Sequence, residues 1–298
     1  MKKFTYMFLT ILLLLFGVGS EYTASAKAKP LEVTVLMYHG VVSSGAGKYV
    51  ISKDRLDEDV KYLVDNGYEI VSVEGLVASL NGAKIRRKEK LAVLTFDDGL
   101  YGNYKYALPI LEKYGVCGVF SVVGSYMDDK KLTDKTAKYG YMDDEDVKNA
   151  SKYVEIASHT YNLHGNKERI GIKKLKGESV GDYKNLIYND FKKNHDKLTK
   201  VTGKKPYIFA YPYGIYNSIA EEILGDMGYV CTLTCNEGKN YLRSINDLKL
   251  LKRYNRDGRI ATKEFMENIQ YNSSKIKVEQ VYRLDYYQID YYNIIKSM

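Results

Sequence analysis

Short β-rich runs alternate with helical stretches along most of the chain, and this alternation restricts the possible folds more than any other feature. The strand candidates are Leu31–Met37, Glu69–Ser72, Lys90–Phe96, Val116–Val123, Val154–Ala157, Tyr207–Tyr211, Tyr229–Thr234 and Leu248–Tyr254. Between them lie helical patterns: one capped by Ser52 and stopped at Gly67, then Val73–Leu80, Asn103–Tyr114 ending at Gly115, and Asp143–Ser151. Asp182–Thr202, Ser218–Met227 and Thr262–Tyr271 follow. Repeated β–α units build a parallel sheet covered by helices. The expectation is an α/β fold, a distorted (β/α) barrel with about seven parallel strands. A doubly wound open sheet is the alternative.

The N-terminus reads as an address. Lys2 and Lys3 precede an apolar run from Tyr6 to Val18, and Ala24 and Ala26 form an A-x-A arrangement. That pattern predicts a secretory signal peptide over residues 1–26, with a mature chain from Lys27 that works as a secreted or cell-surface protein. The apolar core is short for a membrane span, which needs about 20 residues. An uncleaved anchor is the competing reading. Residues 27–298 are expected to form one domain ending in a tail, from about 275 to 298, whose alternating Tyr and Ile have no evident partner.

Three cysteines are an odd number for a secreted protein and imply no disulfide framework. Cys231 and Cys235 share a face of one strand-like run, about 13 Å apart at strand rise, too far for a bridge. Cys117 reads as a small buried hydrophobe. The net charge of +8 suits an anionic cell wall or membrane surface, and export argues against nucleic acid as a partner. The lysines are nevertheless dispersed, as on ordinary solvated faces.

Four clusters of chemically useful residues stand out, each at the end of a strand candidate. Leu94-Thr95-Phe96-Asp97-Asp98-Gly99 runs an apolar strand into two carboxylates. Asp-Asp-Gly alone is ordinary turn chemistry. Adjacent carboxylates repel, however, unless a cation or a proton relieves them. A metal would bind one and leave the other as a base. Ser158-His159-Thr160-Tyr161-Asn162-Leu163-His164 places two of the chain's four histidines within six residues. Together with Asp98 they form a two-His, one-carboxylate set of the kind catalytic metal sites use. The third cluster is Phe209-Ala210-Tyr211-Pro212-Tyr213-Gly214, and the fourth is Met37-Tyr38-His39-Gly40. His195 reads as plain surface on a polar helix face. In α/β barrels the C-terminal rim of the strands is where active-site residues converge.

Thr95-Phe96-Asp97-Asp98-Gly99, His159-Thr160 through His164, and Tyr211-Pro212-Tyr213 resemble the successive motifs of the polysaccharide deacetylase family, carbohydrate esterase family 4. The likeness runs from about Leu31 to Ile260, and Met37-Tyr38-His39 is similar to the poly-N-acetylglucosamine deacetylase branch. The resemblance implies a divalent metal, zinc or else cobalt or nickel, held by Asp98, His159 and His164. It implies Asp97 as the catalytic base and the backbone N–H of Tyr213 as an oxyanion donor. It implies a hydrolase that removes N-acetyl groups from an N-acetylglucosamine-containing exopolysaccharide or peptidoglycan. The alternatives are an O-acetyl esterase on sugars and a sugar-binding relative without activity.

The chain departs from the family pattern in three places. Ala210 stands where the family has an arginine, so the cation that orients the base must come from elsewhere, with Arg253 and Arg256 as candidates. No histidine follows His195, so the usual late proton donor is missing and His39 is the replacement expected as general acid. There is no tryptophan to line a sugar groove, although the chain has 30 tyrosines.

Overall fold

The computed structural model describes residues 29–83, 88, 90–165 and 168–275. The expected signal peptide and the tail beyond Lys275 lie outside the described residues. Nine strands form one sheet in the order β10-β1-β5-β6-β7-β8-β9, with β4 also on β5 and β11 also on β1. These are β1 Leu31–Tyr38, β4 Tyr68–Ile70, β5 Lys90–Phe96, β6 Val119–Val122, β7 Glu155–Ser158, β8 Ile208–Ala210, β9 Cys231–Leu233, β10 Asn240–Leu242 and β11 Tyr254–Asn255. A separate pair, β2 Gly40–Val42 and β3 Val50–Ser52, follows the end of β1. All pairings in the main sheet are parallel except β1 with β10.

The sheet curls until its two ends meet. Leu251 bridges Leu233 of β9, and three residues later the same segment enters β11, where Tyr254 and Asn255 register with Leu36 and Met37 of β1. The expected distorted (β/α) barrel is therefore the fold, and Leu251–Asn255 is its seam. The expected strand Leu248–Tyr254 is corrected. Leu250 lies in the left-handed region at φ 56°, which interrupts any extended run, so only Tyr254–Asn255 is strand. The antiparallel β10, absent from the sequence expectations, is a three-residue segment that pairs with β1, some 200 residues earlier.

Strand periodicity assigns the two faces of the sheet. Val33, Val35, Leu91, Val93, Val119, Ala157, Ile208, Ala210, Cys231 and Leu233 pack together as the barrel interior. Leu36, Tyr38, Ala92, Leu94, Phe96, Phe120 and Val122 face the other way, toward helices including Lys53–Asp65 and Leu108–Tyr114. Helix Val73–Leu80 packs Val73 and Leu76 against the interior cluster. The half-buried carboxylate of Glu155 fixes it by accepting the N–H groups of Val73 and Glu74, each at 2.8 Å. That places one end of the barrel under a plug. The opposite end follows from the same two-residue period: beyond Met37, Thr95, Ala157 and Leu233, the next inward positions are His39, Asp97, His159 and Cys235.

The helix boundaries follow local chemistry. Ser52, Ser72, Asp143, Ser179 and Asn217 each accept a first-turn N–H as N-caps, and Gly115 and Gly203 close their helices in the left-handed conformation. Two sequence readings change. His195 is half-buried, its ring set edge-on to Tyr229 with Nδ1 3.3 Å from the phenol oxygen, because helix Val180–Thr202 packs that flank inward. Cys117 is half-buried and precedes β6, which begins at Val119. The three cysteines are all free: Cys231 is core, and Cys235 lies beyond the end of its strand.

Candidate active site

At the C-terminal ends of β1, β5, β7, β8 and β9, a cleft is lined by Met37, His39, Tyr49, Asp97, Asp98, His159, His164, Tyr213 and Cys235. The structure thus brings together every site residue expected from the sequence. Asp97 continues the inward parity of β5. Asp98 would point away from the cleft if the strand continued, and a pair of left-handed residues prevents that. Asp98 has φ 72° and Gly99 φ 77°, so the chain reverses and Asp98 joins Asp97 on the cleft side. A Cβ on Gly99 would sit tightly, 3.1 Å from Val122, on a backbone that already favours glycine.

Asp98 Oδ1 lies 3.0 Å from His164 Nε2 and 3.5 Å from His159 Nε2. The three ligand atoms are within 4.8 Å of one another and all three residues are buried. Each imidazole has its second nitrogen engaged. His159 Nδ1 lies 2.7 Å from the Ala210 carbonyl, which can only accept, so Nδ1 carries a proton and Nε2 is the nitrogen left to meet Asp98 or to ligate a metal. His164 Nδ1 lies 3.2 Å from the Tyr126 hydroxyl, which can fix the same tautomer. Two imidazoles and a carboxylate with outer partners of this kind fit a divalent cation. Burial alone would raise the Asp98 carboxyl, but the two histidines hold it well below the usual carboxylate range. Burial would lower His159, yet its hydrogen bond to Asp98 and the charges of both aspartates raise it.

Asp97 is held differently. Arg253, wholly buried, donates Nη1–H to Asp97 Oδ1 at 2.9 Å and Nη2–H to Oδ2 at 2.7 Å. The same guanidinium donates to the Thr234 carbonyl at 2.7 Å and to Thr95 Oγ1 at 3.1 Å. Burial pushes Asp97 up, but Arg253 and then His159 pull it below its ordinary value, so it is ionised near neutrality. Arg253 therefore replaces the cation missing at Ala210. It reaches Asp97 because the barrel seam carries it across from β9 to β1. Arg256, the other candidate, is corrected to a structural role. It forms a buried fork with Asp59 of helix Lys53–Asp65, at 2.7 and 3.0 Å, and Asp59 also accepts from Tyr38 and Thr262.

His39 faces the same cleft, its ring 4.8 Å from that of Tyr49 in an edge-on arrangement. Burial lowers its basicity, against the pull of Asp98 and then Asp97. Tyr213 has φ 57° within the Pro212–Gly214 turn. Its ring stacks on His164 at 5.0 Å, and its hydroxyl donates to the His164 carbonyl at 2.9 Å. The Tyr213 side chain thus braces a candidate ligand, a contact that sequence reasoning did not foresee. Tyr126 was also missed; it lies on the short helix Gly124–Asp128, and nothing in the local pattern marks it. The Cys235 thiol is pushed up to about 11 by burial, so it is no nucleophile near neutral pH.

Residues 84–232 match the model of the polysaccharide deacetylase family. A poly-beta-1,6-N-acetyl-D-glucosamine N-deacetylase of Escherichia coli K12 is 28% identical, the match covering 78% of this chain and 38% of that protein. The chain therefore spans about two fifths of the length of that relative. Among solved structures, a de-N-acetylase from Aggregatibacter actinomycetemcomitans superposes with a TM-score of 0.67 at 28% identity, covering 80% of this chain and 99% of that one. IcaB from Ammonifex degensii shares the fold, with a TM-score of 0.64 at 23% identity over 83% of this chain and 98% of that one. The paired aspartates, the two cluster histidines and the barrel that gathers them lead to one assignment: the chain belongs to the polysaccharide deacetylase family.

Proposed function

We propose that this protein is a metal-dependent hydrolase that removes N-acetyl groups from an N-acetylglucosamine-containing polysaccharide, an exopolysaccharide or peptidoglycan. One observation carries the reading: an ionised aspartate clamped by a buried arginine stands beside a buried Asp-His-His cluster in an open cleft. The E. coli relative, named for poly-beta-1,6-N-acetyl-D-glucosamine, points to the substrate class.

Asp98, His159 and His164 would hold the metal. A divalent cation there supplies polarisation of the acetyl carbonyl and acidification of an attacking water. Asp97, unprotonated and immobilised by Arg253, accepts the proton of that water. The Tyr213 N–H supplies a further donor to the oxygen that gains charge, a contribution of roughly 3–4 kcal/mol in other hydrolases. His39, on the same cleft, delivers a proton to the departing amine. Acetate release from poly-N-acetylglucosamine, chitin and peptidoglycan fragments and from acetylated xylan tests the substrate. Release only from xylan would replace the reading with an O-acetyl esterase, and no release from any would favour a sugar-binding relative. Chelation should abolish activity, with zinc, cobalt or nickel restoring it. Full activity in a preparation shown to be free of metal would defeat the metal dependence.

The proton-donor role has its own test. A positioned acid contributes about 10²–10⁴-fold. His39→Ala should lose that much on N-acetylglucosamine oligomers while hydrolysing an activated aryl acetate nearly normally, since a phenolate leaves without a proton. Because burial lowers His39, its protonated form is lost as pH rises through a value below the ordinary imidazole figure of about 6.5. Amide turnover should decline through that range in wild type, and the decline should vanish in His39→Ala. Equal losses on amide and aryl ester would reduce His39 to a packing role.

We also propose that the protein is exported and works at the cell surface, where its net charge of +8 suits an anionic wall or membrane. Mass spectrometry of the protein from its native host should find an N-terminus near Lys27; an intact Met1 in membrane fractions would point to an anchor.

A further inference from the structure

The segment between the two candidate ligand histidines is a strained loop held from both sides. Thr160 has φ 69°, an outlier for a β-branched residue that the surroundings must impose. On one side, the carbonyls of Thr160 and Tyr161 accept the N–H groups of Gly124 and Ser125, at 3.1 and 2.8 Å. On the other, the Asp190 carboxylate, reaching across from the long helix Val180–Thr202, accepts the N–H groups of Tyr161 and Asn162, one on each oxygen and both at 2.8 Å. Asn194, one turn further along that helix, donates to the Val122 carbonyl at 3.2 Å and to Ser158 Oγ at 2.9 Å, which fixes the helix beside the end of β7.

We propose that Asp190 is a positioning residue that sets the shape of the His159–His164 loop and, through it, the affinity of the Asp98-His159-His164 cluster for a divalent cation. The inference rests on the metal-site reading above. The helix does not need Asp190 in order to pack, since Tyr183, Ile187, Phe191 and Leu198 supply its buried face. The carboxylate is held at a cost. Burial pushes it up to about 6, and the two N–H groups and the Lys193 charge offset this only in part. Lys193 itself lies over the Tyr161 ring, 3.7 Å from its centroid. One acceptor on each of two consecutive N–H groups ties down both peptide units that flank Tyr161, which a single bond would not do. The loop's remaining freedom then lies within Leu163 and His164, where Tyr126 and Tyr213 already brace the second ring.

The test compares three proteins. Asp190→Asn keeps the side-chain shape but turns an NH₂ toward one of the loop N–H groups. Leu198→Ala opens a cavity in the core beneath the same helix, away from the loop. Zinc affinity is measured by competition with a chromogenic chelator, the cobalt-loaded protein by its visible absorption, and the metal-free protein by its Tm. Asp190→Asn should bind zinc about 10–100-fold more weakly, the range seen when the outer partners of metal ligands are removed. Its cobalt spectrum should also change. Leu198→Ala should lower Tm yet keep the zinc affinity and cobalt spectrum of wild type. Wild-type affinity and spectrum in Asp190→Asn would overturn the proposal, as would an equal loss of zinc affinity in Leu198→Ala. If wild type itself takes up neither metal, the metal-site reading falls and this inference falls with it.

Discussion

Asp97→Asn should lower turnover of an N-acetylated oligosaccharide by about 10²–10⁴-fold, the contribution of a positioned general base, while leaving metal content as in wild type. The substitution is isosteric, so the cleft keeps its shape, but an amide cannot take up the proton of water. Metal content is the discriminating readout. Asp97 is forked onto Arg253, whereas Asp98 meets both histidines, so only the second carboxylate belongs to the cluster. A variant that loses its metal would mean that the two adjacent aspartates have exchanged roles. A variant with wild-type turnover would remove Asp97 from the chemistry altogether.

Arg253→Ala should act on both stability and chemistry. It leaves the Asp97 carboxylate buried with no fork, and breaking a buried ion pair from one side costs roughly 3–5 kcal/mol. It also removes the donors to Thr234 and Thr95, which tie the barrel seam to β9 and β5. On the chemical side, Arg253 is the largest influence that lowers the Asp97 carboxyl against its burial. Without it the carboxyl rises, and the base is protonated at a pH where wild type is still ionised. The acid limb of kcat/KM should therefore move to higher pH. Arg253→Lys restores the charge but not the planar fork, so it should recover part of the stability and little of the activity. Denaturant unfolding and pH–rate profiles measured on the same preparations check both effects. An Arg253→Ala protein with wild-type stability and an unmoved acid limb would show that the base is oriented by something else.

Much of the site was legible in the sequence because barrel strands have a period of two and end on one rim. Val33, Val35 and Met37 lead to His39, and Leu91, Val93 and Thr95 lead to Asp97, so an inward register read along each strand ends at a residue of the cleft. The helix ends were legible for a related reason. Ser52, Ser72 and Asp143 cap within three residues, and Gly115 closes its helix through its own backbone freedom. The family motifs are similarly compact, since Asp97 and Asp98 are adjacent and His159 and His164 share one loop.

Tertiary structure alone decided the parts whose partners are distant in the chain. Arg253 and Arg256 are three residues apart in similar sequence surroundings, yet one turns into the barrel to meet Asp97, 156 positions away, and the other meets Asp59, 197 positions away. Leu250, with its left-handed backbone, breaks the expected strand just before the seam crosses from β9 to β1. Tyr126, Asp190 and the side-chain contacts of Tyr213 were equally silent. Each acts on the histidine loop through a single side chain or a pair of peptide N–H groups, with no periodic pattern around it. By itself the sequence determined the strand faces, the helix caps and the residues at the rim, because these depend on neighbours a few positions away. It left open which long-range partners orient them, because a buried guanidinium or carboxylate takes its partner from the closed barrel, and the closure exists only once the strands have paired.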